Sequence, residues 1–409
     1  MRYRSLGRSA LDFTAALLLQ VTLLGATILI FKLDDLRSAA FFTFALSICG
    51  PISLFASMSL AELVYAGDER YRNTREIALA QALAFVGLSA LAGVCLALWD
   101  TAYLPVYTII SLARLADLLS ALGIQVLRRN GHFKRISFLG VLQFSCFCGF
   151  AALALSIGWA PPYICVAIAM MLASMAQAGL SAWWLRDELA NTSGLHSRRP
   201  AKFLREHMAR SIAISLNSLQ TNAPRYGLEF LASPQQQAAY SLISTLARAG
   251  SIALQSLFVP VVGKFRSAYR ASPRRAISII YIIFFALSAL FTTVMLIAWF
   301  IAVHEGWTRW LGPETEAILT PAAGAWALAS SGVYLFRFGV WQIVSLLEDG
   351  ARQTRHALAG GGATVILGFL LIPSLLIGGA AMCEIIGNLL LVVLPFIYWR
   401  RAGKARPPA

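Results

Sequence analysis

The chain has 409 residues, of which 58% are hydrophobic and 13% charged, and its mean hydropathy is +0.69. That composition excludes an ordinary soluble globule. The net charge of +15 would point to nucleic acid in a soluble protein, but no segment interleaves basic and aromatic residues along a polar helix. Nucleic acid is therefore not expected as a partner.

Apolar stretches long enough to cross a bilayer, at about 20 residues each, fall at 11–31, 39–65, 77–99, 103–127, 136–157, 162–185, 208–231, 238–262, 276–302, 319–347, 357–376 and 378–398. These runs are too long and too continuously apolar for barrel strands, which alternate over about 10 residues. Each is expected to be a helix that satisfies its own backbone hydrogen bonds. Of the 34 basic residues, 26 fall in the termini and the even-side loops, and only Lys32, Arg37 and Arg309 in the opposite loops. The positive-inside bias places both termini in the cytoplasm. Arg114, Arg210, Arg225, Arg248 and Arg337 lie inside spans, where topology does not explain them.

In chain order, the first span follows Arg2, Arg4 and Arg8 and lacks a small-residue cleavage site, so it reads as an uncleaved helix. Glu62 sits near the inner end of the second span. The fourth carries Arg114 and Asp117 at i,i+3, where an internal ion pair is favoured over substrate contact. Six spans return the chain to the cytoplasm, and residues 186–207 form the longest inner connection. The expected organisation is an N-lobe at 1–185, a linker at 186–207, and a C-lobe with a basic tail at 208–409. Two lobes of the same membrane orientation form a parallel repeat with substrate between them. The six cysteines read as small core residues, and no His/Cys/carboxylate cluster has metal spacing. Prolines 51, 105, 224, 260, 321 and 373 lie in or near spans, where interior ones kink a helix.

The C-lobe carries the polar stripes. On span 7, Ser215, Asn217, Ser218, Thr221, Asn222, Arg225 and Glu229 share an arc of about 160°, from which Gln220 departs. Arg225 and Glu229 are i,i+4 neighbours. On span 8, Ser241, Ser244, Thr245, Arg248, Ser251 and Gln255 share an arc of about 120°, with Arg248 about 15 Å down the helix. Cavity lining is favoured there over interhelical packing. Gly312-Pro313-Glu314 reads as the acidic first turn of a helix leading into span 10. Ser330, Tyr334, Arg337 and Trp341 form one strip on that span, suited equally to a sugar phosphate and to packing with a cation–π contact. Glu384 lies about two turns into span 12.

Few free acids face these arginines, so the expected cavity is cationic and the expected substrate anionic and rich in hydroxyls. Its candidate substrate contacts are Arg248, Arg225, Arg337, Arg114, Ser241, Thr245, Gln255, Asn217 and Thr221. Glu229, Asp117, Glu62 and Glu384 are candidates for ion coupling or ion pairing.

The run from Asn217 through Ala223-Pro224-Arg225-Tyr226-Gly227-Leu228-Glu229, then Ala238-Ala239-Tyr240-Ser241 and Phe258-Val259-Pro260, resembles the polysaccharide repeat-unit flippase branch of the MOP (multidrug/oligosaccharidyl-lipid/polysaccharide exporter) superfamily. Leu311-Gly312-Pro313-Glu314 and Gly378-Gly379-Ala380-Ala381 resemble its approaches to spans 10 and 12. Where that branch usually carries Asp-Arg on span 7, this chain has Pro224-Arg225. The resemblance implies an all-α, MATE-like fold of two six-helix lobes. It also implies a non-enzymatic flippase in the bacterial inner membrane that moves an undecaprenyl-pyrophosphate-linked oligosaccharide by alternating access. Expected partners are the lipid-linked oligosaccharide, the bilayer, a glycan polymerase and a chain-length regulator. No cofactor is expected beyond coupling H⁺ or Na⁺. A multidrug or other small-molecule transporter of 6+6 architecture is the alternative. A membrane glycosyltransferase ranks lower, because no outer loop is long enough to fold as a catalytic domain.

Overall fold

The computed structural model describes residues 2–57, 74–186, 200–248, 265, 268–269, 272–348 and 350–402. Helices occupy the described parts of the twelve expected spans, and no strand occurs among the described residues. In chain order they are α1 (Arg2–Leu33), α2 (Leu36–Ser57), α3 (Thr74–Trp99), α4 (Leu104–Arg129), α5 (Phe133–Ile157), α6 (Pro162–Trp184), α7 (Pro200–Leu231), α8 (Pro234–Arg248), α9 (Pro273–His304), the short α10 (Trp307–Trp310) and α11 (Pro313–Ile318), α12 (Pro321–Leu347) and α13 (Gly350–Ala402). Seven described helical segments are long and apolar enough to span a membrane, one of them covering Gly350–Trp399. Helices α7, α8 and α12 do not count among the seven; they carry most of the C-lobe's candidate polar residues.

Proline has two roles here. Pro162, Pro273, Pro313 and Pro321 open helices, where the missing N–H costs nothing. Pro105 also lies in a first turn, so it and Pro321 are starters and not kinks. Pro51, Pro224 and Pro373 are interior. The Gly312-Pro313-Glu314 segment opens a separate six-residue helix, α11, which ends before Thr320 caps α12 by accepting from Ala323 N at 3.2 Å.

The chain divides into two compact units, Met1–Ser218 and Leu219–Ala409, with the division inside α7. In the first, α6 packs on α4, α5 and α1, while α2, α3 and α4 pack together. Ile77, Leu122, Leu127, Ile136 and Leu139 form a core there between α3, α4 and α5. At the other end of these helices Tyr103 stacks on Trp99 at 5.0 Å and meets Phe41 edge-on at 4.6 Å.

In the second unit α12 packs on α8, α9 and α13. The backbone of α13 leaves the helical region at Leu376 (φ 50°, ψ −123°), so α13 is two helices meeting at that residue. A left-handed φ at a leucine is strained, and it sits beside Ile377, the one-residue connection expected between spans 11 and 12. The limbs pack antiparallel, and at Gly360 and Gly387 their backbones touch. A Cβ on Gly387 would stand 2.9 Å from the Gly360 carbonyl oxygen and 3.0 Å from Gln220 Nε2. Gly387→Val is expected to destabilise the protein by about 1–3 kcal/mol, seen as a lower thermal midpoint in detergent. Gly362→Ala, whose Cβ would meet nothing within 4 Å, should leave that midpoint unchanged or raise it.

All six cysteines are free. Cys49, Cys165 and Cys383 are buried as small core residues, but Cys95 and Cys148 are exposed on outward helix faces.

Candidate functional site

An arginine at the bilayer centre costs about 2.5–3.5 kcal/mol even on lenient scales, so each buried one needs partners. In the second unit the partners come from four helices. On α7, Arg225 donates to Asn222 Oδ1 at 3.1 Å and, from Nη2, to Ser244 Oγ of α8 at 2.8 Å. Pro224 lacks the N–H that would bond the Gln220 carbonyl one turn earlier, and the Gln220 side chain bridges two further helices. Its Oε1 accepts from Arg337 Nη1 of α12 at 2.8 Å, and its Nε2 donates to Asn388 Oδ1 of α13 at 3.0 Å. Arg337 also lies over the Tyr334 ring at 4.9 Å.

A second polar knot surrounds Glu384, whose side chain is buried with 1% of its surface exposed. Its Oε2 accepts from the Tyr240 hydroxyl of α8 and from Ser330 Oγ of α12 at 3.1 Å. Glu384 and Asn388 are one turn apart on one face of α13, and Ser330 and Arg337 are two turns apart on α12. The two faces meet as parallel polar strips inside otherwise apolar helices. Hydrogen bonds to charged groups contribute about 1.5–3 kcal/mol each, enough for this set to offset the insertion cost of its two arginines.

The electrostatic balance differs from the expected cation surplus. Among the described residues of this unit, the buried charged side chains are Arg225 and Arg337 on one side, and Glu229, Glu348 and Glu384 on the other. Burial brings the acids in with the arginines, so the described charges do not by themselves demand an anionic ligand.

Ser241 is buried and accepts from Gln237 Nε2 at 3.1 Å. Thr221 is buried, while Asn217 and Thr245 are half-buried. Arg248 is the last described residue of α8 and its side chain lies outside the description, as do Gln255, Ser251 and Glu62.

In the first unit Arg114 Nη1 pairs with Asp117 Oδ2 at 3.2 Å. Asp117 Oδ1 accepts from Gln143 Nε2 of α5 at 3.3 Å, and Gln143 reaches Ser174 Oγ of α6 at 3.2 Å. This cluster ties three helices together and gives Arg114 an internal carboxylate. Sequence reasoning missed Gln143, Ser174, Gln220 and Asn388. The i,i+4 pair Glu384/Asn388 was visible as a polar step in an apolar run. Gln220 leaves the arc of its neighbours, and that is why it reaches different helices.

No protein-family model matches the chain, and no curated protein matches its sequence. Its structure is similar to a crystal structure of MATE in complex with MaD3S, with TM-score 0.64 and 14% identity over 97% of this chain and 95% of that one. It is also similar to an inward-facing multidrug resistance MATE family transporter of the MOP superfamily (TM-score 0.63, 15% identity, 96% and 98% covered). An outward-facing structure described in the same terms aligns with TM-score 0.59 and 12% identity over 97% and 94%. The chain thus has the all-helical fold of the MATE transporters, the 6+6 architecture expected from its spans.

Proposed function

We propose that the chain is a multi-pass secondary transporter of a bacterial cytoplasmic membrane, non-enzymatic, working by alternating access between an N-lobe (1–185) and a C-lobe (208–409) joined by a cytoplasmic linker. The observation that carries this reading is that its likeness to transporters of this fold runs over nearly the whole chain, in both inward- and outward-facing forms. Glu384 supports a proton as the coupling ion, because it is a buried carboxyl held by two hydroxyls, Tyr240 and Ser330, with which a proton can be exchanged. Small organic solutes are the first substrate class, since the similar structures are described as multidrug transporters and the described buried charges include acids as well as arginines.

A second reading is the lipid-linked oligosaccharide flippase, with a glycan polymerase and a chain-length regulator as partners. Two arginines buried inside spans favour it, because guanidinium binds phosphate bidentately and keeps its charge when desolvated. The sequence run around Pro224-Arg225 favours it too. On that reading Arg248, Arg225 and Arg337 contact the pyrophosphate, with Arg114 and the hydroxyl and amide groups Ser241, Thr245, Gln255, Asn217 and Thr221 on the sugars.

The test is reconstitution of the full chain in proteoliposomes with an imposed H⁺ or Na⁺ gradient. Uptake of a panel of organic cations is compared with exposure of a short-chain polyprenyl-pyrophosphate oligosaccharide to an external glycosidase. Gradient-driven movement of the cations alone supports the first reading, and of the lipid-linked sugar alone the second. If folded protein moves neither, the transporter reading fails.

A further inference from the structure

At the α9 end of the second unit, a cavity of about 350 Å³ opens between the first turns of α9 and the last turns of α13, lined by Arg274, Ile277, Ser278, Phe396 and Trp399. We propose that it is a binding site for the phosphate of an anionic phospholipid headgroup. The site is separate from the polar strips described above and does not rest on the transport reading.

Three features carry the assignment. First, polar groups converge. Arg274 and Ser278 lie one turn apart on α9, so a guanidinium and a hydroxyl share one wall. They stand at the N-terminus of a 32-residue helix whose flanking Ser272 makes no side-chain cap, the end whose dipole favours an anion. Second, the opposite wall is apolar and pre-formed. Trp399 is buried and meets Tyr281 edge-on at 6.3 Å, Phe396 lies 4.9 Å from Tyr281, and the Tyr281 hydroxyl is anchored to the Val392 carbonyl at 3.0 Å. A site for a free hydrophilic anion needs no such wall, whereas a headgroup with attached acyl chains does. Third, the placement is interfacial. The cavity joins two helix ends that the charge bias assigns to the cytoplasmic side, where anionic lipids concentrate and Trp and Arg anchor. Arg352 lies over the ring of Tyr398, the residue before Trp399, at 4.8 Å. At the end of α12, the Glu348 carboxylate lies 3.1 Å from His356 Nε2. The volume is near the lower end of ligand sites, about 300–1,000 Å³, suited to a headgroup and not to a whole lipid.

The experiment uses the full chain purified in a neutral detergent. Thermal midpoints are titrated with short-chain phosphatidylglycerol, short-chain phosphatidylcholine or inorganic phosphate. Saturable stabilisation by phosphatidylglycerol is expected, with at least tenfold weaker apparent affinity in the Arg274→Ala/Ser278→Ala double variant. Arg274 is exposed, so its loss should leave the unliganded midpoint unchanged. Arg352→Ala, outside the lining, should stay within about threefold of the parent. Equal binding of phosphatidylcholine, or an unchanged isotherm in the double variant, overturns the site. Saturation by inorganic phosphate at the same affinity overturns the lipid as its source.

Discussion

Glu384→Gln is expected to leave a folded, membrane-inserted protein whose transport no longer responds to an imposed pH gradient. Glutamine keeps the volume of the protonated carboxyl and an oxygen that accepts from Tyr240 and Ser330, but it neither takes up nor releases a proton. A gradient of one pH unit supplies about 1.4 kcal/mol per proton, which sustains at most about a tenfold solute gradient in one-for-one exchange. In the parent protein, proteoliposomes with and without that gradient should therefore differ several-fold in accumulated solute. In the variant the ratio should fall to about one, while exchange between equal solute pools survives. Glu384→Ala should behave differently, because the buried Tyr240 hydroxyl then loses its carboxylate acceptor at about 1–3 kcal/mol, while Ser330 keeps the Ala327 carbonyl at 2.9 Å. It should show a lower thermal midpoint as well as lost coupling. A Gln variant with full pH response would make Glu384 a structural clasp and move the search for the coupling group to Glu229 or Asp117.

Hydropathy located the helices well, because a bilayer imposes a length on an apolar run. Even the break at Ile377 was readable, one residue from the strained Leu376. The pairing of polar groups was less legible. Arc arithmetic on α7 selected residues sharing one face, and it correctly grouped Asn222 with Arg225, which are now seen hydrogen-bonded. The same arithmetic discarded Gln220, although a helix packed on several sides has more than one interior face. Spacing pairs Glu229 with Arg225 but leaves Glu384 alone in its span, and the folded structure buries both acids in the same unit as Arg225 and Arg337. A one-dimensional pattern gives each residue's depth and angle but not which neighbouring helix receives it. Asn388 went unread for that reason, since its role depends on Gly360 and Gly387 letting the two limbs of α13 come together near Gln220.

Arg337 decides whether these arginines hold helices or ligands. Its guanidinium is 3% exposed, bonded to Gln220 at 2.8 Å and stacked over Tyr334. Arg337→Ala removes a charged member of a buried network, a class of change that costs about 3–5 kcal/mol, so a marked fall in membrane level and thermal midpoint is expected. A double-mutant cycle with Gln220→Ala should return a coupling of about 1.5–3 kcal/mol, because each single change already breaks the same bond. Arg337→Lys separates structure from recognition. Lysine keeps the charge but loses the fork and the stacked plane, so a purely structural arginine predicts a partial fall in stability with transport per folded molecule unchanged. A phosphate contact predicts at least a tenfold loss of lipid-linked oligosaccharide movement, with organic-cation transport per folded molecule intact. If the Lys variant is normal in stability and in both activities, neither role holds, and Arg225, bonded to Asn222 and Ser244, becomes the arginine on which the flippase reading depends.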